Sequence, residues 1–440
     1  MASSRKSKAS LKPVKRIAVA LSGGLDSVVL LDTVCKSVRA EDAGKADAVT
    51  EVWAFHIHHG LQKPADAWLV FCEKLAKKYR IHFDFRLLYL LQEGSANLEA
   101  KARAGRYEAL ADLCHEHAIT DLLLAHHQND QAETVLLQLL RGAGVAGLSG
   151  MPEQRFLGKG ANRVRLWRPL LDLSKADLES YAKQHRLKWV EDPSNRNTRY
   201  RRNAIRQQVI PRLEKIQPDA VANLARSGAL MAESQVLLDR LAAQDGKTIF
   251  AQDQLKLKPL LNLLQKDLPA ANNLLRYWLR SHQLTMPSQE RLQAWWRDLQ
   301  AVKPDAQLEW LHDQAIIRLW RGQLQVSPPF SNGRWEFKAI GPRSKVLGVD
   351  ADWVTAAERQ DLIAFEERKG GEKFQIKPNT PRKTLKNLFQ EAAIAPWLRQ
   401  APLLYIDGQL IAVAGLGVSY THLKGSGRRV LPEWVQNPVK

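Results

Sequence analysis

The sequence predicts an α/β protein: a mostly parallel sheet with helices on both faces, followed by a mainly helical domain and a small α+β domain. Three observations predict it. From Arg16 to about Trp167, short apolar runs alternate with apolar residues at helical spacing, the pattern of strands joined by crossover helices. After Pro211 the pattern becomes mainly helical, and beyond about residue 331 short strands mix with one helix. The predicted domains are therefore 1–215 with a basic N-terminal tail, 216–330, and 331–440.

In the first domain the strands fall at 17–21, 52–57, 82–87, 122–125 and 164–167, and the helices at 26–39, 65–80, 98–116 and 131–140. Open sheets of this kind bind ligands beyond the carboxyl ends of the strands, where the strand order reverses, so chemistry is expected there. The second domain reads as helices over 224–241, 255–282 (broken near Pro269) and 289–300. Period-two alternation through Leu308, Trp310, Ile316, Arg318 and Trp320 predicts a closing hairpin. Ser327-Pro328-Pro329 and Asn332-Gly333 mark a linker, and the last domain carries a helix over 383–391. Trp295, Trp296, Trp310 and Trp320 fit core positions better than base-stacking ones.

Composition limits the function. The 440 residues are 45% hydrophobic and 25% charged, too apolar for a disordered chain. Lysine and arginine number 65 against 46 acids, a net charge of +19 that favours a polyanionic partner such as nucleic acid. Cys35, Cys72 and Cys114 form no CxxC pair, which excludes a disulfide framework, and no apolar run is long enough to span a membrane. Arg5, Lys6, Lys8, Lys12, Lys15 and Arg16 precede a short apolar run that stops at Ser22-Gly23-Gly24, which predicts a solvated basic tail rather than a secretory leader. The expectation is a cytoplasmic protein with no membrane contact and no evident protein partner.

The strongest chemical signal is Ser22-Gly23-Gly24-Leu25-Asp26-Ser27, between a strand and a helix. Glycines let backbone approach a phosphate closely, and the helix start offers unpaired N–H groups. A Walker loop would carry a lysine here, and this one does not. Asp26 beside a phosphate needs a divalent cation between them, which favours Mg²⁺ on a polyphosphate. The alternative is a glycine turn with Asp26 serving only helix electrostatics. A second signal is His126-His127-Gln128-Asn129-Asp130-Gln131-Ala132-Glu133-Thr134, where Asp130 and Glu133 share a helical face at another strand end. No further histidine or cysteine stands at zinc-ligand spacing beside His126 and His127.

These motifs carry a resemblance. SGGLDS is similar to the loop of the N-type ATP pyrophosphatases. The full set resembles the tRNA(Ile)-lysidine synthetase family: His56-Ile57-His58-His59-Gly60-Leu61; Glu99, Arg103, Arg106 and Tyr107; His126 to Thr134 and on to Arg141-Gly142-Ala143-Gly144; Arg168-Pro169-Leu170-Leu171; Glu191-Asp192-Pro193-Ser194-Asn195; and Arg202-Asn203-Ala204-Ile205-Arg206. Gly371-Glu372-Lys373-Phe374 and Pro396-Trp397-Leu398-Arg399 fit that family's last domain. One departure is Gln128-Asn129, where many members carry additional acid.

The resemblance implies ATP, Mg²⁺, L-lysine and an isoleucine tRNA with a CAU anticodon, whose wobble cytidine is adenylated at the C2 oxygen and then attacked by lysine to form lysidine. It implies Asp26 and Asp130 on the metal, with Glu133 orienting the lysine ammonium. Ser22, Gly23, Gly24, Leu25, Asp26 and Ser27 are expected to bind ATP, with His56 and His58 lining its adenine side. Arg103 and Arg106, one turn apart, are expected to contact phosphate, with Glu99 pairing Arg103; a salt-bridged surface helix is the alternative. Arg196, Arg199, Arg201, Arg202 and Arg206, interleaved with Tyr200, are expected to face RNA, as are Lys377, Arg382 and Lys383 in the last domain. Competing functions are a tRNA thiolase, which commonly needs paired cysteines, a small-molecule amidotransferase, and a non-catalytic RNA-binding protein with a degenerate ATP fold.

Overall fold

A computed structural model describes residues 15–42, 50–58, 65–88, 98–158, 163–302, 308–313, 315–327 and 333–436, without the side chains of 42, 98–101, 194, 196 and 436. The basic tail before Lys15, His59-Gly60-Leu61, the Glu99 and Arg196 side chains and most of the expected linker at 328–332 lie outside the described residues. The chain divides into two compact units, Met1–Leu238 and Asp239–Lys440.

The first unit is built on six strands and the helices between them: β1 (Lys15–Ala20), α1 (Leu25–Asp42), β2 (Thr50–His58), α2 (Ala65–Tyr79), β3 (His82–Leu87), α3 (Leu98–Glu116), β4 (Asp121–Leu123), α4 (Gln128–Leu139), the single turn α5 (Val145–Leu148), β5 (Gln154–Leu157), β6 (Val164–Trp167) and α6 (Lys175–Gln184). The order across the sheet is β3-β2-β1-β4-β6-β5, with every pairing parallel except β5 on β6 at one edge. Strand order reverses between β1 and β4, which opens the ligand crevice at their carboxyl ends.

Alternation along β1 builds both faces. Ile17, Val19 and Leu21 pack with Val28 and Leu31 of α1, Cys72 and Ala76 of α2, and Leu178 and Ala182 of α6. Ala18 packs on the opposite face with Leu110, Leu113 and Cys114 of α3. The chain then forms α7 (Arg201–Ala204), a π-helical turn at Ile205–Val209, α8 (Ile210–Ile216) and the long α9 (Ala220–Asp245), in which the division between the units falls. Ile205, Ile210 and Val221 bury against Ala132 of α4, so this segment is tied to the helix bearing Asp130 and Glu133.

Several expectations shift. The helix expected from 131 begins at Gln128, because the backbone N–H of His127 donates to Asp130 Oδ2 at 3.1 Å, an N-terminal clasp that starts the helix three residues early. The edge strand β5 and helix α6 are additions to the expected elements: β5 is short and largely exposed, and α6 is announced only by its cap, where the Asp177 amide donates to Ser174 Oγ at 3.1 Å.

In the second unit, β7 (Phe250–Ala251), β8 (Gln254–Lys256), α10 (Leu257–Lys266), α11 (Leu268–Ser281), α12 (Gln289–Ala301), β9 (Leu308–His312), β10 (Ala315–Trp320) and β11 (Gln323–Ser327) form helices against a five-stranded antiparallel sheet. The expected hairpin is thus part of a larger sheet. The expected break at Pro269 falls at Asp267, whose carboxylate accepts the Ala270 amide at 2.9 Å and caps α11. Trp295 stacks on Trp310 with ring centres 4.8 Å apart in a core that also holds Trp296, while Trp320 is half-buried against Trp397.

The remaining elements are β12 (Gly333–Ile340), β13 (Val349–Asp350), α13 (Ala351–Arg359), β14 (Ile363–Glu366), β15 (Lys373–Phe374), β16 (Lys383–Thr384), α14 (Leu385–Glu391), β17 (Leu403–Ile406), β18 (Gln409–Val413), β19 (Gly417–Val418) and β20 (Arg429–Gln436). The helix expected from 383 starts at Leu385, capped by Thr384, while Lys383 belongs to a strand; α13 is an additional helix. No described helix is long and apolar enough to cross a membrane.

Candidate active site

The glycine loop leaves β1 through buried Leu21, whose N–H donates to Phe55 O at 2.8 Å. Gly23 sits at φ +87°, and a Cβ there would stand 3.0 Å from Val190 Cγ2 and 3.2 Å from Cys72 Sγ. Both the left-handed backbone and the crowding require glycine at this position. The Val190 amide holds the loop from behind through the Gly23 carbonyl at 3.0 Å. Ser22 and Ser27 hydroxyls meet at 3.1 Å, and Ser27 Oγ donates to Gly24 O at 2.9 Å.

Buried His56 contributes through its ring: Nδ1 donates to the Leu21 carbonyl at 2.8 Å, and burial lowers its pKa. It therefore braces the end of β1. His58 Nε2 meets Asp66 Oδ1 at 3.0 Å.

Asp26, in the first turn of α1, and Asp130, in the first turn of α4, face each other across buried His127. His127 Nε2 stands 3.7 Å from Asp26 Oδ2 and 3.6 Å from Asp130 Oδ2. Its other ring nitrogen, Nδ1, is buried with no hydrogen-bond partner. Lys175 Nζ reaches Asp26 Oδ1 at 2.7 Å from the start of α6. Burial by itself would raise the Asp26 carboxyl, but His127 and Lys175 outweigh it and hold it below its ordinary value. The same balance holds at Asp130, where burial is outweighed chiefly by His127 and Arg202.

Glu133 is fully buried. Arg202 Nε donates to Glu133 Oε2 at 2.6 Å while its Nη2 reaches Asp130 Oδ1 at 2.9 Å. Arg206 grips Glu133 twice, at 2.5 and 3.0 Å, and stands 3.4 Å from Asp130. Buried Arg168 donates to His126 Nδ1 at 3.2 Å and to Pro152 O at 2.5 Å. Burial, with Arg168 and Arg202 nearby, pushes the His126 pKa down to about 3 despite Asp130.

The structure thus brings together Ser22, Gly23, Gly24, Leu25, Asp26, Ser27, Asp130 and Glu133, with Arg202 and Arg206 turned inward onto the acids rather than outward. Arg199 and Arg201 are exposed. Arg103 and Arg106 converge with Arg155 on the Tyr107 ring, at 5.4, 5.9 and 4.7 Å from its centre. Lys377 and Arg382 are exposed in the second unit, and Lys383 is ion-paired with Glu391 at 2.7 Å. Residue reasoning missed His127, Arg168 and Lys175 as parts of the site. The usable signal for Lys175 was the Ser174…Asp177 cap, which starts a helix with the lysine in its first position.

The donor set fits Mg²⁺: Asp26 and Asp130 offer hard carboxylate oxygens. Phosphate and water would complete the shell of an ion held by these two carboxylates. The group that does cluster, Asp84, Glu116 and His117, already holds the Arg86 guanidinium between its two acids.

Comparison with known proteins accords with this geometry. Residues 2–213 match the PP-loop domain, 259–325 the TilS substrate binding domain and 363–434 the TilS substrate C-terminal domain. The tRNA(Ile)-lysidine synthase of Nitrosomonas europaea is 35% identical, covering 93% of this chain and 90% of that protein. That of Ralstonia nicotianae is 37% identical over 92% and 89%, and that of Methylococcus capsulatus 34% over 96% of each. Among solved structures, the U34-tRNA thiolase NcsA from Methanococcus maripaludis aligns with TM-score 0.43 and 18% identity, covering 51% of this chain and 73% of its own. With its glycine loop and paired carboxylates at the point of strand reversal, and with relatives aligned along nearly its whole length, the chain belongs to the tRNA(Ile)-lysidine synthase family.

Proposed function

We propose that this protein is an ATP-dependent ligase that joins L-lysine to C2 of the wobble cytidine of an isoleucine tRNA with a CAU anticodon. In the first step the C2 oxygen attacks the α-phosphorus of ATP and pyrophosphate leaves. In the second the lysine ε-amine attacks C2, its proton is lost, the C2–O bond breaks and AMP departs with the oxygen. The observation that carries the reading is the pairing of Asp26 and Asp130 around His127 beside the glycine loop, within a chain of this family.

The loop amides and the start of α1 receive the polyphosphate, and the two serines add hydroxyl donors. Asp26 and Asp130 would hold Mg²⁺, which when bound neutralises charge developing on the leaving pyrophosphate. His56 keeps the end of β1 in place. Glu133 is assigned a different part from the expected one: enclosed by Arg202 and Arg206, it anchors those arginines instead of meeting the lysine ammonium. Exposed Arg199 and Arg201, and Lys377 and Arg382 in the last domain, are assigned to tRNA phosphates. In this reading 1–215 carries the chemistry while 216–330 and 331–440 hold the tRNA, and a cytoplasmic location follows from the substrates.

A thiolase reading is disfavoured by the cysteines. Cys35, Cys72 and Cys114 are separately buried, and burial raises their thiols to about 11, 12 and 12. The test is incubation with unmodified tRNA, ATP-Mg²⁺ and isotopically labelled lysine, followed by nucleoside mass analysis. Labelled lysidine is expected, and cytidine left unmodified would refute the proposal.

A further inference from the structure

Four arginines and three aromatic rings of the second unit gather where the β10–β11 hairpin meets the end of α14. The hairpin turns through Arg321 and Gly322, both in left-handed backbone at φ +48° and +72°, a turn that asparagine and glycine ordinarily occupy. Arg321 Nη2 donates to the Gln390 carbonyl at 3.3 Å, and its guanidinium lies 4.9 Å from the centre of the Trp320 ring. Arg399 Nε donates to Ile394 O at 2.8 Å. Arg368 and Arg399 share the buried Phe389 ring, at 5.1 and 5.7 Å from its centre. Arg318 lies 4.7 Å from the Trp397 ring, which Trp320 meets edge-on. Arg318 has Glu309 at 2.8 Å, but no carboxylate among the described residues is ion-paired with Arg321, Arg368 or Arg399. Glu372 spends one oxygen on the amides of Lys369 and Gly370, at 2.6 and 2.8 Å. Its other oxygen and Arg368 Nε are both buried with no hydrogen-bond partner. Burial, then the charges of Arg368 and Arg321, push the Arg399 pKa down, so the three guanidiniums repel one another. Carbonyls at the end of α14 answer them with only about half a negative charge.

We infer that Arg321, Arg368 and Arg399 form the seat of the 5′-terminal phosphate of the tRNA. A backbone phosphodiester offers two non-bridging oxygens and a phosphomonoester three, so a cluster of three guanidiniums suits the monoester. A tRNA carries one such group, at its 5′ end. Trp320 and Trp397 are half-buried beside the guanidiniums, and offer ring surface to the nucleotide that bears the phosphate. These residues are distinct from Lys377 and Arg382, which are assigned to backbone phosphates. The inference deepens the tRNA reading proposed above and rests on it.

The test uses full-length protein and an isoleucine tRNA prepared with either a 5′-monophosphate or a 5′-hydroxyl. Binding is measured at one salt concentration for wild type, Arg368→Gln and Arg321→Gln. Wild type should bind the phosphorylated RNA roughly 10- to 100-fold more tightly, the range for charge-assisted hydrogen bonds. Both variants keep the Arg399 contact to Ile394 and should lose most of that preference, while binding the 5′-hydroxyl RNA as wild type does. Equal wild-type affinity for the two RNAs would overturn the inference; if Arg368→Gln then weakened both alike, the cluster would hold a backbone phosphate instead. A preference that survives in both variants would overturn it too. Wild-type protein that binds neither RNA would refute the tRNA reading, and this inference with it.

Discussion

Replacing Arg202 by alanine is the most direct test of how the site is held together. Glu133 and Asp130 side chains are 1% and 12% exposed, and Arg202, 22% exposed, bridges them. Removing one partner of a buried ion pair typically costs about 3–5 kcal/mol, because the remaining charge stays out of water. Here Arg206 still holds Glu133 through two hydrogen bonds, which leaves a cost of roughly 2–3 kcal/mol for Arg202→Ala. At about 2–4 °C per kcal/mol for a folded unit of this size, the melting temperature should fall by roughly 4–12 °C. Arg206 is 41% exposed, so its pairing is partly screened and Arg206→Ala should cost about 1 kcal/mol. Thermal melts and urea unfolding of both variants and of Glu133→Gln, with the Arg202–Glu133 double mutant closing the cycle, measure the coupling directly. Arg202→Ala melting within about 1 °C of wild type, with coupling near zero, would refute the network.

Asp130→Asn should abolish adenylate formation while the protein stays folded, and adenylated tRNA at the wild-type rate would remove Asp130 from the metal. Replacing Cys35, Cys72 and Cys114 together by alanine should spare turnover in the folded variant, measured by lysidine yield; loss of turnover at unchanged stability would point to sulfur chemistry. Reversing Lys377, Arg382 and Lys383 to glutamate should weaken tRNA binding and flatten its log–log salt dependence by about 0.7–0.9 for each phosphate no longer engaged. Lys383 should contribute least because Glu391 already engages it, and ATP affinity should not change. At Asp32, burial would raise the carboxyl, but Lys36, Tyr79 and Tyr181 outweigh it and depress the pKa. Its stabilising contribution is therefore present above the unfolded carboxyl value of about 3.9 and is lost as pH falls through the folded value. Asp32→Asn should melt lower at pH 7 and show a shallower acid decline than wild type as pH falls below about 4, and parallel declines would discount the Asp32 cluster.

Sequence by itself determined the layers and the place of the chemistry. Alternating apolar runs specify a parallel sheet, since only strands buried on both faces read that way, and SGGLDS after the first strand puts a phosphate cradle at its carboxyl end. Asp130 and Glu133 were legible because three residues on a helix is a shared face. What tertiary structure alone decided is which charges meet. The arginines at 202 and 206 read as a surface run, yet α7 and the turn after it pack on α4 through Ile205 and Ile210, which turns both guanidiniums onto buried acids. Lys175 stands 149 residues from Asp26, and nothing in local spacing joins them; they meet because Leu178 and Ala182 bury against the face of α1. Short-range periodicity encodes the faces a helix presents, whereas the partner of a charge is set by apolar packing between segments far apart in the chain. Such packing leaves no local signature.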